Sequence, residues 1–238
     1  MEEKGEFPMR INKYLAKRGI STRRDADALI ERGIVEINGR RAKLGDKVVE
    51  KDVVTIKGIE RKKYFYLAYH KPQGTLSHGA AEDEREIPTK ISIGGQRITV
   101  FPIGRLDKDS SGLIILTNDG RVTDRLLNPE YEHEKTYHVT LDKAVSNHLI
   151  KWIREGVRIE DYTTKPASAR QTGASEIEIT LTEGKKHQIR RMCAALGFQV
   201  KKLVRTRIEN IELENLRAGA YREFTPSERE EFLNNLGL

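Results

Sequence analysis

The sequence predicts an α+β protein with two domains, a small helix–helix–sheet domain followed by a larger domain built on a mixed, mostly antiparallel sheet. Up to about residue 60, two short helical patterns precede short strand patterns. From Tyr64 onwards longer strand patterns dominate, and helical stripes separate them. The 238 residues are 37% hydrophobic and 33% charged, a composition that fits two small cores better than one large core. We therefore expect domains at residues 9–60 and 64–238.

In the first domain, capping and turn signals indicate where the elements begin and end. Thr22, with Asp25 three residues later, has the capping-box spacing that starts a helix. Asn38-Gly39 is a tight-hairpin signal between two strand patterns. The predicted elements are helices at 9–18 and from Thr22 to about Arg32, and strands at 34–37, 40–43 and 52–56.

In the second domain, alternation of apolar and polar residues indicates half-buried strands, and stripes with a period near 3.6 residues indicate helices. The predicted strands are 64–69, 113–117, 135–141, 176–182, 198–204 and 208–213. The predicted helices are 121–128, 144–155, 186–196 and 226–236, the last capped by Thr225. Residues 76–99 are largely polar and contain glycines, so we expect an irregular surface loop there.

The composition excludes several classes of site. Cys193 is the only cysteine, which rules out an intrachain disulfide and a cysteine-based zinc site, and its helical spacing from Ile189 predicts a core position. No segment approaches the roughly 18 apolar residues of a membrane span. The N-terminus lacks the apolar core of a signal peptide. We therefore expect a soluble, cytoplasmic monomer that does not bind membranes.

Cofactor motifs are missing as well. The sequence contains neither the phosphate-binding loop of nucleotide hydrolases nor the glycine fingerprint of dinucleotide-binding folds. The histidines show no metal-ligand spacing. We expect an activity that needs no cofactor and no metal.

The basic residues concentrate in two blocks. The chain has 43 Lys and Arg against 36 Asp and Glu, and residues 9–24 and 185–207 contain no acidic residue. Two acid-free basic blocks favour a polyanionic partner such as nucleic acid. Taken one at a time, either block is equally well explained as a solvated helix face.

Residues 104–113 read GRLDKDSSGL and place two acidic residues, two basic residues and two hydroxyl groups before a buried strand. An aspartate at a strand edge can act as a nucleophile or base without activation, because a carboxylic acid of this type is ionised at neutral pH. The Asp-Ser-Ser-Gly pattern alone is also typical of an ordinary turn.

Residues 10–42 resemble the S4 RNA-binding domain, first seen in a ribosomal protein. The matching stretch reads RINKYLAKRGISTRRDADALIERGIVEINGRRA. The resemblance implies that Arg10, Lys13, Arg23 and Arg24 face RNA phosphates.

Four further motifs are similar to those of the RsuA-like family of pseudouridine synthases. They are KPQG at 71–74, GRLDKDSSGLIILTNDG at 104–120, HEKTY at 133–137 and LTEGKKHQIRRMCAALG at 181–197. Together with the S4-like stretch, they extend the resemblance from Met9 to about Thr225. The resemblance implies an isomerase with a catalytic domain of pseudouridine synthase type, which converts a uridine in RNA to pseudouridine.

The resemblance also implies a role for each site residue. Asp107 is expected to act on a uridine flipped out of the RNA, and attack on the base and removal of a sugar proton are both open to it. Tyr137 is expected to stack on the uracil, and Arg190 to pair with Asp107. The remaining expected contacts are Arg105 in the gap left by the flipped nucleotide, Ile189 and Leu203 against the base, and Lys186, Arg191 and Lys202 towards RNA.

Within the family, the stretches FPIGRLDKDSSGLI and KKLVRTRI look most like the large-subunit branch, the RluF/RluB type. That branch implies a uridine in 23S ribosomal RNA as the substrate, and a tRNA stem-loop as a second one. Two alternatives stay open: a small-subunit ribosomal RNA enzyme, and a non-catalytic RNA-binding or ribosome-assembly factor that keeps the fold.

Overall fold

The computed structural model describes residues 7–18, 20–58, 63–79, 81 and 84–238. The chain divides into two compact units. The first unit consists of the residues up to Tyr64 with Asp119–Asp124 and Leu238, and the second consists of Phe65–Asn118 and Arg125–Gly237. The predicted boundary lies between residues 60 and 64, and residues 59–62 lie outside the described residues. The domain bounds 9–60 and 64–238 therefore stay a prediction.

The first unit has two helices and short strands around one small core. The helices are α1 (Ile11–Lys17) and α2 (Arg23–Glu31), and the strands are β1 (Met9–Arg10), β2 (Val35–Ile37), β3 (Arg40–Arg41), β4 (Lys47–Val48) and β5 (Val54–Ile56). Strands β3, β2 and β5 form an antiparallel sheet, and β1 pairs with β4. Ile11, Leu15 and Ile30 pack from the helices into the core.

Local signals in the first unit act as predicted. The hydroxyl group of Thr22 accepts a hydrogen bond of 3.0 Å from the amide of Asp25 at the start of α2. Asn38 and Gly39 both have positive φ, +52° and +80°, as the tight turn between β2 and β3 requires. The helix–helix–sheet prediction for this part of the chain is confirmed.

The second unit is built on one large sheet. Its strands are β6 (Tyr66–Lys71), β7 (Lys90–Ile93), β8 (Gln96–Thr99), β9 (Phe101–Ile103), β10 (Ser111–Thr117), β11 (Lys135–Leu141), β12 (Arg158–Ile159), β13 (Tyr162–Thr163), β14 (Ser168–Gly173), β15 (Glu176–Leu181), β16 (Val200–Ile208), β17 (Ile211–Glu212) and β18 (Tyr221–Glu223). Its helices are α4 (Asn147–Glu155), α5 (Gln188–Ala195) and α6 (Pro226–Asn235), a 3-10 turn covers Pro129–Tyr131, and the residues of α3 (Arg121–Leu127) are divided between the two units.

The large sheet has the strand order β14-β15-β11-β16-β10-β6-β18, with β9 beside β10 and β17 beside β16. Strands β10 and β16 run parallel, and the other pairings within this sheet among the described residues are antiparallel. The predicted mixed, mostly antiparallel sheet is confirmed. Helices α4 and α5 pack on the half of the sheet that contains β14, β15 and β11, and they close the main core there.

Two sequence predictions about the second unit were wrong. Residues 90–99, the last part of the expected irregular loop at 76–99, form a hairpin of β7 and β8 around Gly94-Gly95, and its Ile91 is buried with Leu67 and Leu116. The strand expected at 198–204 continues to Ile208 as β16, and of the strand expected at 208–213 only the short β17 remains separate. Pairing with β11 along its whole length holds β16 extended through the polar residues between the two predicted strands.

Candidate active site

Asp107 lies in the loop that joins β9 to β10, with its side chain 36% exposed. Its neighbour Leu106 is buried and fixed from both sides by Ser77. The Ser77 hydroxyl group donates to the carbonyl of Leu106 at 3.0 Å and accepts from the amide of Leu106 at 3.1 Å. Ser77 therefore anchors the backbone between Arg105, which is exposed, and Asp107.

The backbone after Asp107 is held as well. The carbonyl of Lys108 accepts from the amide of Gly74 at 2.8 Å and from Nζ of Lys71 at 3.4 Å. The carbonyl of Asp109 accepts from the guanidinium of Arg190 at 3.2 Å. Side chains from distant parts of the chain thus fix the backbone of this loop and leave the Asp107 carboxylate at the surface.

The side chain of Lys71 is completely buried. Its ammonium group also donates to the carbonyls of Thr75 at 2.7 Å and Pro72 at 3.0 Å. Burial lowers the pKa of Lys71 to about 8, with Arg205 acting in the same direction and Asp107 and Asp109 acting against it. A buried ammonium group thus interacts electrostatically with Asp107 and Asp109 of this loop.

Gly112 permits a close approach of β10 and β16. Its φ is +112°, and a Cβ atom there would lie 2.3 Å from the carbonyl oxygen of Arg205. Arg205, opposite Gly112 on the parallel strand, is 4% exposed, and its Nε donates to the carbonyl of Leu113 at 2.7 Å. The close packing of β10 against β16 therefore requires glycine at position 112, after the loop of Asp107.

Tyr137 is on β11, opposite Arg205 on β16 and Ile179 on β15. Its half-buried ring packs against the main core, to which Ile189 of α5 and Leu203 of β16 also belong. Ile189 is 4% exposed and Leu203 is 6% exposed. The structure therefore brings the three predicted base-contacting residues to one cluster, and their contact with a uracil stays a prediction.

Arg190 does not make the expected ion pair with Asp107, and that expectation is wrong for this structure. Its guanidinium donates to the carbonyls of Val200 at 3.1 Å and Asp109 at 3.2 Å, so both of its terminal nitrogens are engaged by backbone. Arg190 braces the loop two residues after Asp107. Among the described residues, the basic side chain within 4.0 Å of the Asp107 carboxylate is that of His187, with Nδ1 3.6 Å from Oδ2.

The turn before α5 is tied together by buried polar groups. Glu183 accepts from Gln188 Nε2 at 2.6 Å, from the Lys165 amide at 3.0 Å and from the Tyr162 hydroxyl group. The bond to Glu183 raises the pKa of Tyr162 to about 12. Cys193, further along α5, is buried as predicted, and burial raises the pKa of its thiol to about 12.

The residues expected to face RNA are at the surface in most cases. Arg10 lies directly before α1, Lys13 is in α1, and Arg23 and Arg24 form the first turn of α2; all four are exposed.

The second basic block gives a mixed picture. Lys186 and Lys202 are exposed, whereas Arg191 forms an ion pair of 2.7 Å with Glu160. Contact of any of these residues with RNA stays a prediction.

Within the described ranges, no group of three His, Cys, Asp or Glu side chains is arranged to hold a metal ion. In the same part of the chain, no helix has both the length and the apolar character needed to span a bilayer.

Comparison with known proteins decides the family. A family model described as RNA pseudouridylate synthase matches residues 65–195, more than half of the chain, and an S4 domain model matches residues 9–54. This chain belongs to the RNA pseudouridylate synthase family. It is therefore an isomerase, and the S4 domain supports RNA as its substrate.

Relatives of this pseudouridine synthase cover almost all of its chain. It is 40% identical to the dual-specificity RNA pseudouridine synthase RluF of Escherichia coli (strain K12), over 92% of this chain and 77% of that protein. It is 37% identical to the ribosomal large subunit pseudouridine synthase B of Bacillus subtilis (strain 168), over 92% and 93% of the two chains. A crystal structure of a pseudouridylate synthase superposes with a TM-score of 0.68 at 32% identity, over 94% of this chain and 99% of that chain.

Several supporting residues of this pseudouridine synthase were missed by the analysis of its sequence. The KPQG motif contained Lys71, but nothing in the sequence showed that its ammonium group is buried beside the loop of Asp107. Ser77 was within the supposed irregular loop, and Arg205 stood in a basic block assigned to RNA. Their polar side chains are buried through contacts between distant segments, which no local pattern indicates.

Proposed function

We propose that this enzyme isomerises a uridine of large-subunit ribosomal RNA and that Asp107 is its catalytic residue. The observation that carries the proposal is the loop itself: Asp107 keeps an exposed carboxylate, while Ser77, Lys71 and Arg190 fix the backbone on both sides of it. A carboxylate on a fixed backbone meets a reacting atom in a defined geometry, which is a large part of catalytic power.

In the proposed reaction, the target uridine leaves the RNA stack and its sugar reaches Asp107. The bond between the sugar carbon and the ring nitrogen breaks, the uracil turns, and a new bond forms from the same sugar carbon to a ring carbon. That ring carbon loses its proton and the freed ring nitrogen gains one, so the product is an isomer of the substrate. No external group enters or leaves the reaction.

Tyr137, Ile189 and Leu203 are proposed to hold the turning base. An aromatic ring beside two buried aliphatic side chains offers stacking and an apolar wall, and such contacts offset the few kcal/mol that base flipping costs. Tyr137 is also proposed to take part in the final proton removal, as the family resemblance implies.

Arg105 and Arg190 are proposed to act on either side of Asp107. Arg105 is exposed two residues before it and is proposed to fill the gap that the flipped nucleotide leaves in the RNA. Arg190 is proposed to fix the loop through the Asp109 carbonyl, which is a different route from the direct ion pair expected from the family resemblance.

The choice of large-subunit RNA is supported by relatives that cover most of the chain. The Bacillus subtilis relative is named for the large ribosomal subunit, and the Escherichia coli relative is named a dual-specificity RNA enzyme. We propose a tRNA stem-loop as the second substrate class to be tested.

Pseudouridine mapping tests the proposal. Ribosomal RNA and tRNA are taken from cells that lack the protein and from the same cells complemented with wild type or Asp107→Asn. We expect at least one uridine of large-subunit RNA to lose its modification and to regain it with wild type alone. Loss confined to small-subunit RNA or tRNA would contradict the proposed target.

Asp107→Asn separates catalysis from binding. It replaces one carboxylate oxygen by an amide NH2 group and leaves the backbone contacts of the loop in place. We expect turnover to be abolished while the dissociation constant for RNA stays within about threefold of wild type, since the carboxylate does not bind phosphates. An equal loss of binding and turnover, or a fully active variant, would show that Asp107 is not the catalytic residue.

A further inference from the structure

The imidazole of His187 is the feature of the active site that the proposed mechanism leaves unused. Its Nδ1 atom lies 3.6 Å from Oδ2 of Asp107, and the two side chains are 45% and 36% exposed. In the described part of the chain, no other basic side chain lies within 4.0 Å of the Asp107 carboxylate, and the carboxylate accepts no hydrogen bond. His187 is thus the side chain that the structure offers to orient this carboxylate.

A buried network fixes the position of His187. Its backbone is left-handed, with φ +52° and ψ +27°, an arrangement that few residues other than glycine and asparagine adopt readily. The adjacent Gln188 is buried and ties the turn together: Gln188 Oε1 accepts from the amide of Lys185 at 2.8 Å, and Gln188 Nε2 donates to buried Glu183 at 2.6 Å. The carbonyl of His187 accepts from the amide of Arg191 at 2.9 Å. The backbone from which the imidazole extends towards Asp107 is therefore fixed.

We propose that His187 is a positioning residue for Asp107: its Nδ1 holds carboxylate oxygen Oδ2 and leaves Oδ1 directed at the flipped nucleotide. The inference rests on the proposed catalytic role of Asp107. Ser77, Lys71 and Arg190 fix the backbone of the loop, but none of them donates a hydrogen bond to the carboxylate. The imidazole supplies the missing restraint.

Three substitutions at this position separate the contact from the fold. Asparagine tolerates the left-handed backbone and carries an amide nitrogen two bonds from Cβ, where Nδ1 of histidine lies. Glycine also tolerates this backbone and removes the contact. Aspartate has the shape of asparagine but would repel Asp107. His148→Gln is the matched control, since His148 is an exposed histidine of α4 that meets the ring of Trp152 edge-on and is not among the residues assigned to the site.

The measurement is the single-turnover rate at saturating enzyme, on whichever RNA the wild type converts, with the dissociation constant for that RNA measured separately. We expect His187→Asn to stay within about threefold of the wild-type rate and His187→Gly to lose about tenfold or more. His187→Asp should lose more than His187→Gly. The dissociation constants of the Asn and Gly variants should change by less than about threefold, and His148→Gln should match wild type.

Each contrary result overturns the inference in a recognisable way. A wild-type rate for His187→Gly, or equal losses for the Gly and Asn variants, would show that a donor at this position does not matter. A loss seen as weaker RNA binding, with a normal rate at saturation, would make His187 a phosphate contact instead. An active Asp107→Asn enzyme in the same assay would remove the premise. A target outside large-subunit RNA changes only the substrate used, so it is distinguished from all of these.

Discussion

At the residue scale, the loop of Asp107 depends on polar side chains that are buried at a free-energy cost. Lys71 illustrates the balance: it loses its hydration, and three backbone carbonyls, those of Pro72, Thr75 and Lys108, replace the lost water. The compensation is incomplete, which is why burial lowers the pKa of Lys71 to about 8 from its ordinary 10.5. This free-energy cost arises where Lys71 fixes the backbone of the Asp107 loop.

The lowered pKa of Lys71 predicts a pH dependence of stability. Between the folded pKa of about 8 and the unfolded value of 10.5, the unfolded state binds more protons than the folded state, so the free energy of unfolding should rise with pH. Between roughly pH 8 and pH 10, we expect the free energy of unfolding to rise by about 2 kcal/mol less in Lys71→Met than in wild type. Urea unfolding at several pH values measures both proteins.

Lys135 is retained in both proteins and serves as the internal control for that comparison. Burial lowers its pKa to about 8 as well, with Arg205 adding to the effect and Glu209 opposing it. The difference between wild type and Lys71→Met therefore isolates one lysine. Parallel pH dependences in the two proteins would show that the pKa of Lys71 is not lowered by folding.

At the element scale, the parallel pairing of β10 and β16 links the loop of Asp107 to the strand that carries Leu203 and Arg205. The pairing places Ser111 opposite Val204 and Gly112 opposite Arg205. On its other side, β16 pairs with β11, which carries Tyr137. Three segments that each carry site residues are therefore joined by the backbone hydrogen bonds of one sheet.

Gly112→Ala should disrupt that junction. The added methyl group would lie 2.3 Å from the carbonyl oxygen and 2.6 Å from the amide nitrogen of Arg205, and φ is +112°. Because backbone atoms cannot move aside cheaply, we expect a loss of at least about 3 kcal/mol in the free energy of unfolding. Denaturant unfolding measures the loss.

Gly197→Ala is the matched control in the same unit. Its φ is also positive, +79°, but a Cβ atom there would meet nothing within 4 Å. We expect this variant to lose only about 1 kcal/mol, from backbone strain alone. Equal losses at the two positions would mean that the close approach of the strands does not limit Gly112.

At the scale of the whole molecule, the charge distribution is the feature that concerns RNA. The formal net charge is +7, and the first unit exposes Arg10, Lys13, Arg23 and Arg24 around the start of its two helices. Such a group of cations should add affinity for phosphates without adding specificity for the base sequence. Its contribution should therefore appear in the salt dependence of binding.

Replacing Arg10, Lys13, Arg23 and Arg24 with Gln in the full chain should weaken RNA binding and flatten its salt dependence. Each phosphate contact contributes about 0.7 to 0.9 to the slope of log affinity against log salt, so four contacts predict a change of about 3. The single-turnover rate at saturating RNA should change little. Filter binding over a salt series gives the slope.

The control removes the same number of charges from the same unit. Arg41, Lys43, Lys51 and Lys57 are exposed and lie outside β1, α1 and α2. Their replacement with Gln should leave the slope closer to that of wild type. Equal effects of both quadruple variants would show that overall charge, and not the helix surface, drives binding.

Sequence by itself determined the architecture and the motif residues of this protein. The Thr22 cap, the Asn38-Gly39 turn and the alternation along β11 specify local structure, because each signal acts over a few neighbouring residues. The motifs around Asp107 and Tyr137 likewise predicted the family, which the comparisons confirm. The β7–β8 hairpin was missed because its isoleucines become a core only when the sheet is in place.

The tertiary structure decided how the site is held. Arg190 donates to the carbonyls of Asp109 and Val200 and not to the expected carboxylate. Lys71 is buried beside the loop, and His187 lies next to Asp107. These contacts join residues far apart in the chain. Arginine can donate to either a carboxylate or a carbonyl, and the neighbouring sequence does not indicate which acceptor it uses. Packing between segments makes that choice, because only the folded chain determines which acceptor lies within reach.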